Sequence, residues 1–505
     1  MWDNILLGFA TAMTIENLMY CFIGVFLGTF IGVLPGLGSL AAISMLLPMS
    51  FYLEPTTALI LLAGIYYGGE YGGSIASILL NLPGTPSAAV TCLDGNPMAK
   101  QGRAGVALFV TAIASFTGGS VGVIALMGFG PTIAEVGLSF GPADYFALML
   151  LGLVAAVTVG GGSIVKGLIM VVLGLLLGTV GTDVTSGDFR YTFGFLELRD
   201  GVSLVAIAMG LFGIAEVVSS VREAGTRKIT EPVTMKSMMP TRDDMRRTVG
   251  PMARGSSIGG FLGALPGAGT VIAAFLAYAT EIRLAKDKTR FGKGAIEGVA
   301  APESANNAAA QTAFIPTLTI GIPGSATMSI MLGALMIHGI TPGPLLVSDH
   351  PTIFWGLIAS FWIGNLFLLV LNIPLIGLWV KVLQFPYKYI YPVVIALICI
   401  GVFSMRTSVF DVGLVVIFGG LGYLLQRTGY SAAPLILGFV LGPMLEENLR
   451  RAMLLARGDV MRVVSDPLTG TILAMSALML LWAIFGGVRG AMRARRDQGV
   501  PPGEA

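Results

Sequence analysis

The chain has 505 residues, of which 55% are hydrophobic and only 11% charged, and its mean hydropathy is +0.83. A soluble domain carries about 25% charge, so this chain is too poor in charge to be wetted all round, and its net charge of +2 gives no basic field for nucleic acid. Two histidines, His338 and His350, are a poor basis for a catalytic triad or a zinc site, and three scattered cysteines make no disulfide framework.

Apolar runs of membrane-spanning length recur from end to end, without the period-2 alternation of a membrane barrel. They predict an all-α polytopic membrane protein of roughly ten to fourteen segments, some broken. The chain is not read as an enzyme, and its surroundings would be a lipid bilayer. The first residues, MWDNILLGF, lack the basic region of a cleavable signal peptide. Broken elements are expected near 18–53, 57–90, 256–282 and 303–337. Continuous spans are expected near 105–130, 143–160, 163–183, 201–219, 352–382, 388–404, 408–427 and 468–488. The stretch 220–255 carries Arg222, Arg227, Lys228, Lys236, Arg242, Arg246, Arg247 and Arg254. By the positive-inside rule it is a cytoplasmic linker. It separates a first membrane repeat, 1–219, from a second, 256–488. The tail 489–505, with Arg489, Arg493, Arg495 and Arg496, also reads as cytoplasmic. Residues 283–293 are basic too, so the segment after Arg254 is expected to enter and return as a re-entrant hairpin, with a single discontinuous crossing as the alternative.

A motif occurs twice: GVLPGLGS at 32–39 and GALPGAGT at 263–270. A second pair follows in the same order, PGTPS at 83–87 and PGSAT at 323–327. A third anchor pairs Gly167 and Gly174 with Gly413 and Gly420. The offsets are 231, 240 and 246 residues, which point to two internal repeats, inverted as in transporters whose broken helices surround a midplane site. Proline lacks an N–H and forces its predecessor out of helical geometry, and glycine opens the next turn. A new helix can then start at a hydroxyl residue that caps it. Free N–H groups at such a start attract anions, and free carbonyls at the preceding end can hold Na⁺.

Candidate substrate residues are therefore Asn81, Pro83, Gly84, Thr85, Ser87, Gly321, Pro323, Gly324, Ser325 and Thr327. Candidate coupling-ion residues are Pro35, Gly36, Gly38, Ser39, Pro266, Gly267, Gly269 and Thr270. Glu70, Glu303, Asn306 and Asn307 join them, because ionisable groups at membrane depth are costly and mark pathways. The alternative for Glu70 or Glu303 is an interfacial place or an ion pair. Asp94, Lys100 and Arg103 are expected in a solvated loop. No cofactor and no transition metal is expected, only Na⁺ or H⁺ as a coupling ion.

At these motifs, and across YYGGEYGGSIASILLNLPGTPSAAVTCLDGNPMAKQGRAG (66–105) and APESANNAAAQTAFIPTLTIGIPGSATMSIMLGAL (301–335), the chain resembles the large membrane subunit of the tripartite tricarboxylate transporters. The resemblance covers nearly the whole chain. It implies a secondary transporter of the bacterial inner membrane that imports citrate or another tri- or dicarboxylate by Na⁺ or H⁺ symport with alternating access. It also implies a small membrane subunit and a periplasmic solute-binding protein as partners. A passive anion channel is the alternative. No Walker motif is present, which argues against an intrinsic ATPase drive.

Overall fold

The structure is a computed structural model and describes residues 2–159, 163–183, 185–221, 233–267, 269–383 and 387–497. Nearly all described elements are helices; the one sheet among them is a two-stranded antiparallel ribbon pairing Gly181 with Arg190 and Thr182 with Phe189. Five described helical stretches are long and apolar enough to cross a bilayer: Ile15–Val33, Ala89–Leu138, Pro351–Asn372, Val409–Arg427 and Pro467–Phe485. Other apolar helices, such as Gly38–Ser50 and Ala326–Ile337, are shorter because breaks interrupt them. Arg222, Glu223, Arg227, Lys228 and Glu231 of the predicted linker lie outside the described residues, as do residues 498–505 of the tail and the side chains of Arg489, Arg493, Arg495 and Arg496.

The chain forms two compact units by contact, residues 1–138 with 202–427, and residues 139–201 with 428–505. The smaller unit holds helices Pro142–Val159, Ile164–Gly178, Ala433–Leu455, Val460–Ser465 and Pro467–Asp497. Gly174 presses on the Leu435 carbonyl there, and Arg450 clasps Asp183 with two bonds of 2.9 and 3.0 Å. Ala433–Leu455 was not among the expected spans. Its second half carries Glu446, Glu447, Arg450 and Arg451, which hides an apolar first half.

The larger unit contains both pairs of Pro-Gly motifs. Helix Ile15–Val33 lies against Pro55–Leu80 at backbone contact. A methyl group on Gly24, Gly28 or Gly32 would fall 2.5, 2.3 or 2.3 Å from the carbonyl oxygens of Leu61, Ile65 and Gly69. Helix Arg242–Gly263 meets Glu297–Thr312 in the same way. A methyl group on Gly255, Gly259 or Gly263 would fall 2.2, 2.0 or 2.4 Å from the carbonyl oxygens of Ala301, Ala305 and Ala309. Such contact needs glycine, since any side chain would hold the backbones apart. The two triads stand 11, 7 and 3 residues before Pro35 and before Pro266, offset by 231 residues. Their partner carbonyls are offset by 240, the spacing of Pro83 and Pro323. The third sequence anchor has no such match: Gly413 and Gly420 face open space, whereas Gly167 and Gly174 are packed.

After its break the second triad's helix returns as Gly269–Leu284. Arg254 Nε, on the outgoing arm, lies 2.7 Å from Glu281 Oε1 on the returning arm. The two arms therefore form a hairpin. The outgoing arm begins earlier than expected, at Arg242. Thr241 and Asp244 close a capping box at its start, where Arg103 bonds Asp244 at 2.5 Å.

Candidate functional site

Both Pro-Gly pairs come together within their own half. Helix Ile15–Val33 ends at Leu34, which is extended (φ −77°, ψ 113°) because Pro35 excludes helical geometry before it. Gly36 and Gly38 take φ of 88° and 65°, and Gly267 and Gly269 take 84° and 60°. Only glycine enters this left-handed region without strain. The chain can then turn in two residues and resume as Gly38–Ser50 or Gly269–Leu284.

Helix Pro55–Leu80 ends at Asn81, a left-handed cap with φ 57°. Gly84 then enters a slot where a Cβ would sit 2.1 Å from the Gly32 carbonyl oxygen and 2.5 Å from Gly73 Cα, and its N–H donates to Gly73 O at 3.2 Å. In the other half the Gly267 N–H donates to Gly324 O at 2.9 Å, and Gly321 turns with φ 79°.

The turns at 35–39 and 83–87 bring hydroxyls to one buried acid, Glu70, and a second buried acid, Glu303, is held by residues inside helices. Glu70 is 3% exposed and Glu303 1%. Ser39 Oγ donates to Glu70 Oε1 at 2.6 Å and Ser87 Oγ to Oε2 at 2.7 Å, while Thr85 and Ser87 hydroxyls lie 3.0 Å apart. Glu303 Oε1 accepts from Ser74 Oγ at 2.7 Å and from Thr91 Oγ1, and Oε2 accepts from Ser115 Oγ at 3.2 Å. Among the described residues no Lys, Arg or His pairs with either acid. Cages of hydroxyls thereby replace the ion-pair alternative among the described residues, and both acids are buried in the protein.

The two acids sit where the halves meet. Ser74 lies one turn after Glu70 and reaches Glu303, while Asn306 lies one turn after Glu303 and approaches the Glu70 carboxyl. Residue numbers therefore run in opposite senses across this contact. Asn307 is turned aside, its Nδ2 donating to the Glu303 carbonyl at 3.1 Å.

The expected hydroxyl caps are only partly present. Ser325 Oγ does cap its helix, accepting from the Met328 N–H at 3.2 Å, and Thr327 is buried beside it. Gly38–Ser50 and Ala89–Met98 have no side-chain cap. Ser39 and Ser87 are drawn instead to Glu70, because a buried carboxylate costs more to leave unsatisfied than a helix end. Asn81 and Pro83 are exposed, and Pro35, Pro266 and Thr270 are partly buried around the turns. Asp94 is no solvated loop residue. It is fully buried, accepting 2.8 Å bonds from the N–H groups of Gly294 and Ala295 and a 2.9 Å bond from the Tyr278 hydroxyl.

Three residues of the Glu303 cage went unnoticed in the sequence. Ser74 carried a signal, four residues after Glu70 on one helical face. Thr91 and Ser115 carried none, since only tertiary folding brings them to Glu303.

Two curated relatives come from Agrobacterium vitis. An uncharacterised 52.8 kDa protein in the TAR-I ttuC' 3' region is 49% identical over 98% of this chain and 98% of its own length. An uncharacterised protein in the TAR-II ttuC' 3' region is 50% identical over 48% of this chain and 98% of its own length. No solved structure matches the chain. Residues 18–437, which include both acids and all four Pro-Gly turns, match the tripartite tricarboxylate transporter TctA family, and the chain belongs to that family as a multi-pass large membrane subunit.

Proposed function

We propose that the chain imports citrate or another tri- or dicarboxylate across a bacterial inner membrane by symport with Na⁺ or H⁺. The observation that carries this reading is a pair of buried carboxylates with no basic partner among the described residues, set where helices of the two broken pairs meet. A buried carboxylate without a base needs a cation or a proton to be tolerable. A group that must be neutralised from solution is what coupling to a gradient requires, and a passive channel has no use for it.

The substrate end of the site is the turn Gly321–Thr327. It offers a capped helix start and a buried hydroxyl, and no carboxylate hydrogen-bonds there among the described residues. Free N–H groups at that start favour an anion. The matched glycine triads, the matched φ angles and the opposed numbering across the acids support two inverted repeats, with access alternating around them. The linker and the C-terminal tail lie in the cytoplasm. A small membrane subunit completes the membrane part, and a periplasmic solute-binding protein delivers the ligand.

The test is labelled-citrate uptake into proteoliposomes holding this chain and its small partner subunit, with Na⁺ or H⁺ gradients and with or without the binding protein outside. Accumulation that needs both gradient and binding protein is expected. Equilibration without accumulation would contradict symport.

A further inference from the structure

The hairpin of Arg242–Gly263 and Gly269–Leu284 buries only one side of each arm. Ile258 and Leu262 of the outgoing arm, and Ala273 and Ala277 of the returning arm, pack with Ala301, Ala305 and Ala309 of helix Glu297–Thr312. The outer sides of both arms are left exposed, and they are graded. Toward the tip the exposed side chains are apolar: Phe261, Leu265, Phe275 and Leu276. Toward the base they are cationic: Arg246, Arg283, Lys286 and Lys288. Among the described residues none of these four cations pairs with an acid. The adjacent acids Asp243 and Asp287 face Arg247 and Arg290 instead, at 3.8 and 4.0 Å.

The change from apolar to cationic falls near the ion pair that ties the arms, Arg254 with Glu281, whose two bonds measure 2.7 and 2.8 Å. From Arg254 to Gly263 the helix rises about 14 Å, close to half of a hydrocarbon core of about 30 Å. A bilayer surface at this ion pair puts the exposed Phe and Leu side chains among acyl chains and the cations at the headgroups. Arg246 lies two turns further out, and its long side chain reaches back toward that surface. A lipid monolayer offers acyl chains and phosphates in this order along one axis, which is the order the hairpin presents.

We infer that the outer face of this hairpin lies against the cytoplasmic leaflet, where Arg246, Arg283, Lys286 and Lys288 bind the headgroup phosphates of anionic phospholipid. The inference rests on the reading that places residues 220–255 in the cytoplasm, and it asks nothing of the substrate or the coupling ion. Attraction of basic residues to an anionic surface grows with their number and is screened by salt. Both arms carry such cations, so bound lipid holds together the base of the hairpin whose tip is the Pro266-Gly267 turn. Binding should therefore stabilise the folded protein, by an amount that grows with lipid concentration.

The test is the melting temperature of the purified full-length protein in a neutral detergent, titrated with phosphatidylglycerol or with phosphatidylcholine. A rise with phosphatidylglycerol is expected, reduced at high salt and absent with phosphatidylcholine or inorganic phosphate. Arg246→Gln, Arg283→Gln, Lys286→Gln and Lys288→Gln should each weaken the lipid affinity by about fivefold, and the four together should abolish the rise. Should the fourfold variant fail to give a monodisperse protein, the single variants carry the test. Equal stabilisation by the two lipids or by inorganic phosphate would overturn the assignment, as would an unchanged response to phosphatidylglycerol in all four single variants. A photo-crosslinking residue in place of Phe261 or Phe275, in membranes that also hold the small subunit, should give no protein adduct. An adduct with the small subunit would overturn the inference in favour of a protein interface. These readouts involve no carboxylate, so their failure leaves the transport reading standing, and failure of uptake leaves lipid binding testable.

Discussion

Glu70 shows how one buried charge reorganises its neighbours. Proline, glycine and hydroxyl residues at 35–39 and 83–87 read as helix breaks with capping side chains, and the breaks are present. The caps at Ser39 and Ser87 are not, because both hydroxyls donate to Glu70. Ser325 bonds no acid among the described residues and keeps the cap. Removing that hydroxyl costs the helix start about 1 kcal/mol. Ser325→Ala and Thr327→Ala should therefore raise the KM for carboxylate severalfold while the protein still folds and inserts, as uptake kinetics at matched expression would read. Unchanged KM in both variants would remove this turn from the substrate site. At this scale the sequence revealed the residues whose meaning lies in local backbone chemistry or in an ionisable group among apolar neighbours. It revealed Glu70, Glu303 and the turns, but not Thr91 or Ser115, which are ordinary helical residues until Glu303 is set against them.

Among elements, the decisive feature is the spacing of glycines before each break. Gly24, Gly28 and Gly32, and Gly255, Gly259 and Gly263, allow two helix pairs to pack backbone on backbone, which delivers each break to its partner turn. The spacing stands in the sequence but is masked by 69 glycines, most without a shared register. Neighbours on one helix separate packing from composition. A Cβ on Gly259 would lie 2.0 Å from the Ala305 carbonyl oxygen, whereas one on Gly260 meets nothing within 4 Å. Gly259→Ala should destabilise the protein by about 1–3 kcal/mol through overpacking. Gly260→Ala should be neutral or gain up to about 1 kcal/mol from helix propensity. Thermal unfolding in detergent distinguishes them, and equal melting temperatures would contradict the close contact. Helix Ala433–Leu455 escaped the sequence reading for the opposite reason: charges in its second half lower its average hydropathy, while its packing depends on the first half.

For the whole molecule, the helices that carry Glu70 and Glu303 set these acids near each other, and this meeting carries the functional account. The duplicated Pro-Gly motifs marked the breaks in the sequence. What they could not give was the pairing of Ser74 with Glu303 and of Asn306 with Glu70, since nothing in either motif specifies which helix faces meet. If the interior carboxylates couple transport to a cation gradient, neutralising one should uncouple transport without closing the pathway. The most direct measurement is the steady-state accumulation ratio of labelled citrate in proteoliposomes under an inward sodium gradient, for the wild-type chain and Glu70→Gln, each with its small subunit and binding protein. The account predicts accumulation well above equilibrium for the wild type and approach to equilibrium only for Glu70→Gln. An equal accumulation ratio for the two proteins would contradict it.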